Sequence, residues 1–273
     1  MTAPDDTTED AVLGGRLVLR QPRRGHRFGH DAILLAAAVD ARPGDVAVEL
    51  GAGVGAAGLA LAWRVPNLKI ALVEIDAALA ALAAENADRN GLAARVSVAT
   101  LDVAGGAADF THAGLPPESA QHVLMNPPFN DPARQNVSPD PARRRAHAAA
   151  ADTLTQWVLR ASFLLARSGT LTLIWRAAGL ADVLAAFNDF GSLAIVPVHP
   201  KPDVPAIRLL VRAVKGGGAP LTLLPPLILN DAEGRPAVKL SDNFQKALGP
   251  VAEVARYRRV FGLEGVADVP VKI

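Results

Sequence analysis

Cysteine is absent from the 273 residues, which excludes disulfides, cysteine-ligated zinc, iron–sulfur centres and any thiol nucleophile. No stretch reaches about 18 uninterrupted apolar residues, and the acidic opening Met1-Thr2-Ala3-Pro4-Asp5-Asp6 lacks the apolar segment of a secretory leader. The expectation is a cytoplasmic protein with no membrane partner. Net charge is scarce too, at only +1, so a nucleic acid would have to be held by a local basic patch and not by the overall field. The six histidines show no metal-ligand spacing, and no metal is expected. Apolar residues are plentiful: they make up half of the chain, enough to bury the core of one large domain.

Short apolar runs alternate with helical patterns. Val46-Ala47-Val48-Glu49-Leu50 reads as a buried parallel strand. The glycines of Gly51-Ala52-Gly53-Val54-Gly55, which follows, let the backbone turn tightly and pass close to a ligand at the start of a helix over 56–63. A second strand, 70–73, ends in Glu74-Ile75-Asp76. An acid there, about 20 residues beyond the glycines, is placed to accept both hydroxyls of a ribose. A helix over 77–90 stops at Gly91, a third strand over 95–100 leads to Asp102, and a fourth over 122–125 leads to Asn126. This order defines a doubly wound α/β sheet with a site at its carboxyl edge.

Further on, the pattern predicts a helix over 152–166, a fifth strand over 170–175, a helix over 177–190 and strands over 193–198 and 207–214. The linker between the last two is too short for a crossover helix, which makes them antiparallel. Residues 1–15 read as a flexible N-terminus, 16–240 as the main domain with a strand and a buried helix leading in, and 241–273 as a C-terminal extension.

The most informative stretch is Asn126-Pro127-Pro128-Phe129. Neither proline has an N–H and each fixes φ near −65°, so sheet hydrogen bonding stops there. The side chain of Asn126 and the carbonyl of Pro127 can then stand side by side as two fixed acceptors next to an aromatic face. That set suits a planar group bearing an NH2, with both hydrogens accepted and the π-face stacked on Phe129. Arg20, Arg23, Arg24 and Arg27 form one basic run, and Arg134 and Arg143 to Arg145 lie in a proline- and arginine-rich segment, 131–147, long enough for a loop over the site. Arg24, Arg27, Arg143, Arg144 and Arg145 are candidate phosphate contacts, and a solvated surface is the plainer reading of the same charges.

Glu49-Leu50-Gly51-Ala52-Gly53-Val54-Gly55, Glu74, Asp102 and Asn126-Pro127-Pro128-Phe129, at four successive strand ends, resemble the amino-methylating branch of the class I S-adenosylmethionine-dependent methyltransferases. Gly25-His26-Arg27-Phe28-Gly29-His30-Asp31-Ala32-Ile33-Leu34-Leu35-Ala36 resembles the N-terminal signature of bacterial tRNA adenine-N6 methyltransferases acting beside the anticodon of a valine tRNA. The resemblance spans roughly residues 16–240. It implies a seven-stranded Rossmann-like sheet, mostly parallel with an antiparallel last strand, S-adenosyl-L-methionine as cofactor and S-adenosyl-L-homocysteine as product, and RNA, above all tRNA, as partner. By position it gives the methionine part of the cofactor to Glu49, Gly51, Gly53 and Gly55, helped by Phe28, Gly29 and His30. Glu74 takes the ribose, Asp102 the adenine amine, Ile75 and Val103 the adenine ring, and Asn126, Pro127 and Phe129 the target base, Asn126 also bordering the cofactor.

Two alternatives stand beside this. Another RNA amine, such as guanine N2 of ribosomal RNA, would fit the same acceptors. Gly53-Val54-Gly55-Ala56-Ala57-Gly58 also satisfies the dinucleotide pattern of a nicotinamide dehydrogenase, with Glu74 as its ribose acid. Neither Glu49 nor Asn-Pro-Pro-Phe has a role in hydride transfer.

Overall fold

The computed structural model describes residues 6–24, 27–128 and 141–234, with 141–150 described by their backbone alone. In chain order the elements are β1 (Thr7–Val12), β2 (Leu17–Pro22), α1 (His30–Ala38), β3 (Val46–Leu50), α2 (Ala56–Arg64), β4 (Lys69–Glu74), α3 (Ala77–Arg89), β5 (Val96–Thr100) and α4 (Ala107–His112). They continue with β6 (Ala120–Met125), α5 (Pro141–Leu164), β7 (Leu165–Arg176), α6 (Leu180–Ala186), β8 (Phe190–His199), β9 (Arg208–Lys215), β10 (Thr222–Leu223) and β11 (Leu227–Ile228).

Strands β5, β4, β3, β6 and β7 lie side by side and parallel. Strand β9 inserts antiparallel between β7 and β8. Alternate residues of each strand face opposite layers. Ala47, Ile70, Leu72, Leu124 and Ile174 join a core with α1, α2 and α3. Val48, Ala71, Val73, Val123, Met125 and Leu173 join a second core with Phe110 of α4, Leu154 and Val158 of α5, and Val183 of α6. Helices therefore cover both faces, which is why the buried strands read as continuous apolar runs.

Among the described residues the sheet has nine strands, not seven, because β10 and β11 both add to β8. They are two residues each and too short for periodicity to register. Residues 7–12 are not a frayed end. They pair with β2 through a turn in which Leu13, Gly14 and Gly15 all have positive φ, and the polar residues that suggested disorder are the pairing groups: Asp10 meets Arg27, Glu9 meets Arg89 and Thr7 meets Arg20. Residues 141–147, expected in a loop, open α5 instead. A proline at the first helical position gives up an N–H that would be unpaired anyway, and the alanines behind it are strong helix formers. The helix expected over 177–190 is a 3-10 turn followed by α6 alone.

Candidate active site at the carboxyl edge of the sheet

Leu50 is opposite both Val73 and Met125, and Glu74 opposite Thr100, so the carboxyl ends of β3, β4, β5 and β6 finish level with one another. The four motifs therefore share one edge. After β3, Ala52 N–H donates to the Val73 carbonyl at 2.9 Å and Gly55 N–H to the Ala52 carbonyl at 2.8 Å. Gly51, Gly53 and Gly55 take φ of +69°, +56° and +85°, a region open to glycine and costly for other residues. Glu74, at the end of β4, is buried, with Oε2 accepting from Gly53 N–H at 2.7 Å and Oε1 from Asp76 N–H at 3.0 Å. Asp76 in turn caps α3 through Ala78 and Leu79.

Glu49 lies beneath the turn at 4% exposure and accepts from Gly58 N–H at 2.7 Å. Burial pushes its carboxyl up to about 8; the hydrogen bond from Gly58 opposes this and the charge of Glu74 adds to it. Ile75, next to Glu74, is 63% exposed, an uncompensated apolar surface on the site edge that suits the face of a flat ring. Asp102 Oδ1 accepts from Ala104 N–H at 2.9 Å, and Val103 is buried beside it. After β6, Asn126 is half-buried and Pro127 buried. The Asn126 Oδ1 is shielded from solvent and accepts no hydrogen bond among the described residues. A buried acceptor left unmet costs about 1–3 kcal/mol, a cost retained where the missing donor is a ligand.

Gly29 caps α1 and His30 opens it, both exposed. Asp31 pairs at 2.8 Å with Arg208, itself opposite Arg176 at the end of β7, which brings this helix start to the same edge. Phe28 is half-buried, its N–H held by Gln21 at 3.1 Å. Arg24 is exposed, whereas Arg27 is committed to Asp10 and Thr8 at 2.8 Å each. Arg27 is therefore part of the hairpin's own bonding and not a free phosphate contact. Arg143, Arg144 and Arg145 fall in the first turns of α5, on helix and not on loop, and Phe129 and Arg134 lie outside the described residues.

Three contributors escaped the sequence reading. Trp157 of α5 lies against Gly51. Arg160, three residues on, reaches the carbonyls of Val103 and Gly105. Asn86 of α3, fully buried, donates to Val54 in the glycine turn at 3.1 Å and to Arg20 in β2 at 2.9 Å. The spacing of Asn86 and Asn90 on one helix face was the available signal for the last; nothing marked Arg160.

The family model described as the methyltransferase small domain matches residues 27–190. The chain belongs to this family. Among solved structures, this methyltransferase is similar to protein Atu636 from Agrobacterium tumefaciens, described as a "predicted O-methyltransferase", with 32% identity and a TM-score of 0.66 over 82% of this chain and 99% of that one. It also resembles TYW2 of P. horikoshii, solved in complex with MeSAdo, at 13% identity and a TM-score of 0.51 over 79% of this chain and 74% of that one. The fold is the class I methyltransferase α/β fold with a mostly parallel central sheet. Among the described residues, no helix is long and apolar enough to cross a membrane.

Proposed function

We propose that this methyltransferase uses S-adenosylmethionine to methylate an exocyclic amine of a nucleobase, adenine N6 in tRNA being the substrate we assign. The observation that carries the amine is the Oδ1 of Asn126 just beyond β6, buried and unmet among the described residues. An exocyclic amine delocalises its lone pair into the ring and is a poor nucleophile. With one N–H donated to Asn126 and the other to the Pro127 carbonyl, the nitrogen is drawn toward a pyramidal form whose lone pair can face an electrophile.

The residues fit the cofactor. The glycine turn admits close backbone approach, Glu74 presents carboxylate oxygens for a ribose, exposed Ile75 offers an apolar face, and exposed Asp102 offers an acceptor suited to an adenine amine. When bound, the sulfonium supplies an activated methyl group for in-line displacement. The protein's part is positioning. The alkylated nitrogen is acidic enough to lose its proton to water, so no strong general base is required. The N-terminal signature through Gly29 and Asp31 supports tRNA, with exposed Arg24 and the basic start of α5 as the surface offered to phosphates.

A hydroxyl substrate has one hydrogen to donate and would leave one of the two acceptors unused. Nucleoside mass spectrometry after incubating total RNA from a strain lacking the enzyme with the protein and S-adenosylmethionine decides among these. N6-methyladenosine in the tRNA fraction is the expected product. N2-methylguanosine would move the assignment to the other amine, a ribose-methylated nucleoside would replace the amine reading, and no methylated product would overturn it.

A further inference from the structure

Helix α5 grips the loop after β5 from outside the site. Arg160 Nε donates to the Val103 carbonyl at 3.3 Å and its terminal nitrogen donates to the Gly105 carbonyl. The guanidinium lies 4.5 Å from the ring centroid of Phe110 and 5.4 Å from that of Phe163. Between the two gripped carbonyls the chain folds back on Asp102, whose carbonyl accepts from Gly105 N–H and whose Oδ1 accepts from Ala104 N–H, each at 2.9 Å. A cation half-removed from water is costly unless its donors are met. Here two carbonyls and two aromatic faces meet them, and the result is that the turn carrying Asp102 and Val103 is fixed to a rigid helix. Trp157, three residues earlier on the same helix face, packs on Gly51. One face of α5 thus braces two of the strand-end loops.

Resting on the cofactor reading above, we propose that Arg160 is a positioning residue that sets the preference of this site for adenine over other purine rings. The amine at C6 of adenine donates to a carboxylate held at Asp102; hypoxanthine presents an oxygen there, and two acceptors facing each other repel. That penalty persists only while the carboxylate cannot swing away. Removing the guanidinium therefore relaxes discrimination as well as affinity.

The test is calorimetric titration of the full chain with S-adenosylhomocysteine and S-inosylhomocysteine. Wild type should prefer the adenine compound by on the order of tenfold or more. Arg160→Met, which keeps an apolar stem against Phe110 but loses the donors, should bring the ratio toward one. Arg160→Lys, able to reach one carbonyl, should lie between and serves if the methionine variant does not fold. The ratio is insensitive to the fraction of active protein, so a brace that was merely structural would weaken both ligands equally. An unchanged ratio in both variants, or a wild type that binds both compounds alike, overturns the proposal. A wild type that binds neither would instead sink the cofactor reading.

Discussion

Gly51 lies so close to the indole of Trp157 that a Cβ on it would stand 2.4 Å from Cη2 and 2.8 Å from Cζ3. The first glycine of the turn is thus required twice, by a φ of +69° and by the ring above it. Gly51→Ala should pay for both, with roughly 1–3 kcal/mol from backbone strain and a similar amount from overpacking. The expected outcome is at least a tenfold loss of S-adenosylhomocysteine affinity and a shift of Trp157 emission, read by titration calorimetry and fluorescence.

Glu74 has two tasks, holding the N–H groups of Gly53 and Asp76 and, in the proposed site, binding the ribose. Glu74→Ala removes both. Loss of hydrogen bonds to a charged acceptor is worth about 1.5–3 kcal/mol each, so ligand affinity should fall by roughly ten- to a hundredfold, and the melting temperature should drop as well because two backbone N–H groups lose their acceptor. Equal affinity in wild type and variant would remove Glu74 from the cofactor site.

Asn126 should separate activity from stability. Its Oδ1 is buried and unmet among the described residues, so Asn126→Ala relieves a desolvated acceptor and should leave the fold as stable as before or more so. Single-turnover methyl transfer to the tRNA fraction should nonetheless slow by about a hundredfold or more, the scale for one preorganised polar contact. Transfer at the wild-type rate would make Asn-Pro-Pro-Phe only a turn.

The buried carboxyl of Glu49 links stability to pH. Its value of about 8 in the folded chain exceeds the ordinary 4.5, so folding holds a proton that the unfolded chain releases. The stabilisation is complete below the ordinary value and is lost as pH rises through the folded one. Unfolding of the ligand-free protein by urea should therefore become easier between about pH 5 and about pH 8. In Glu49→Gln that slope should flatten.

The two arginines of the N-terminal run should differ. Arg27 is paired with Asp10 in a half-exposed ion pair, worth at most about 1 kcal/mol, and its neutralisation should chiefly loosen the hairpin. Arg24 is exposed. If it meets a phosphate, Arg24→Gln lowers the salt slope of tRNA binding by about one without altering cofactor affinity, as salt-dependent binding curves would reveal.

The carboxyl-edge motifs were legible because parallel strands buried on both faces announce themselves as apolar runs, and each run here ends in a residue of distinct chemistry: glycine, Glu74, Asp102 or Asn126. Linear order then suffices to put them on one edge. What was not legible depends on contacts between distant residues. Thr7 to Asp10 look unstructured until Arg20, Arg27 and Arg89 arrive opposite them. Arg160 is an ordinary helix arginine until the fold brings Val103 and Gly105 against it. Pro141 reads as a loop residue unless the helix behind it is known.

The docking of β2 on α3 has a consequence for association. Asn90 accepts from Val18 N–H and donates to the Val18 carbonyl, and Asn86 does the same for Arg20, at distances of 2.7–3.0 Å. Two side-chain amides thus occupy the ladder positions that a neighbouring strand would fill, while charged Glu9 and Asp10 line the other strand of the hairpin. An exposed strand edge is a template for pairing with a second molecule. Here the template is capped from within the chain, by side chains of a helix. The pair Asn86 and Asn90 therefore guards against edge-to-edge aggregation as well as holding the hairpin in place.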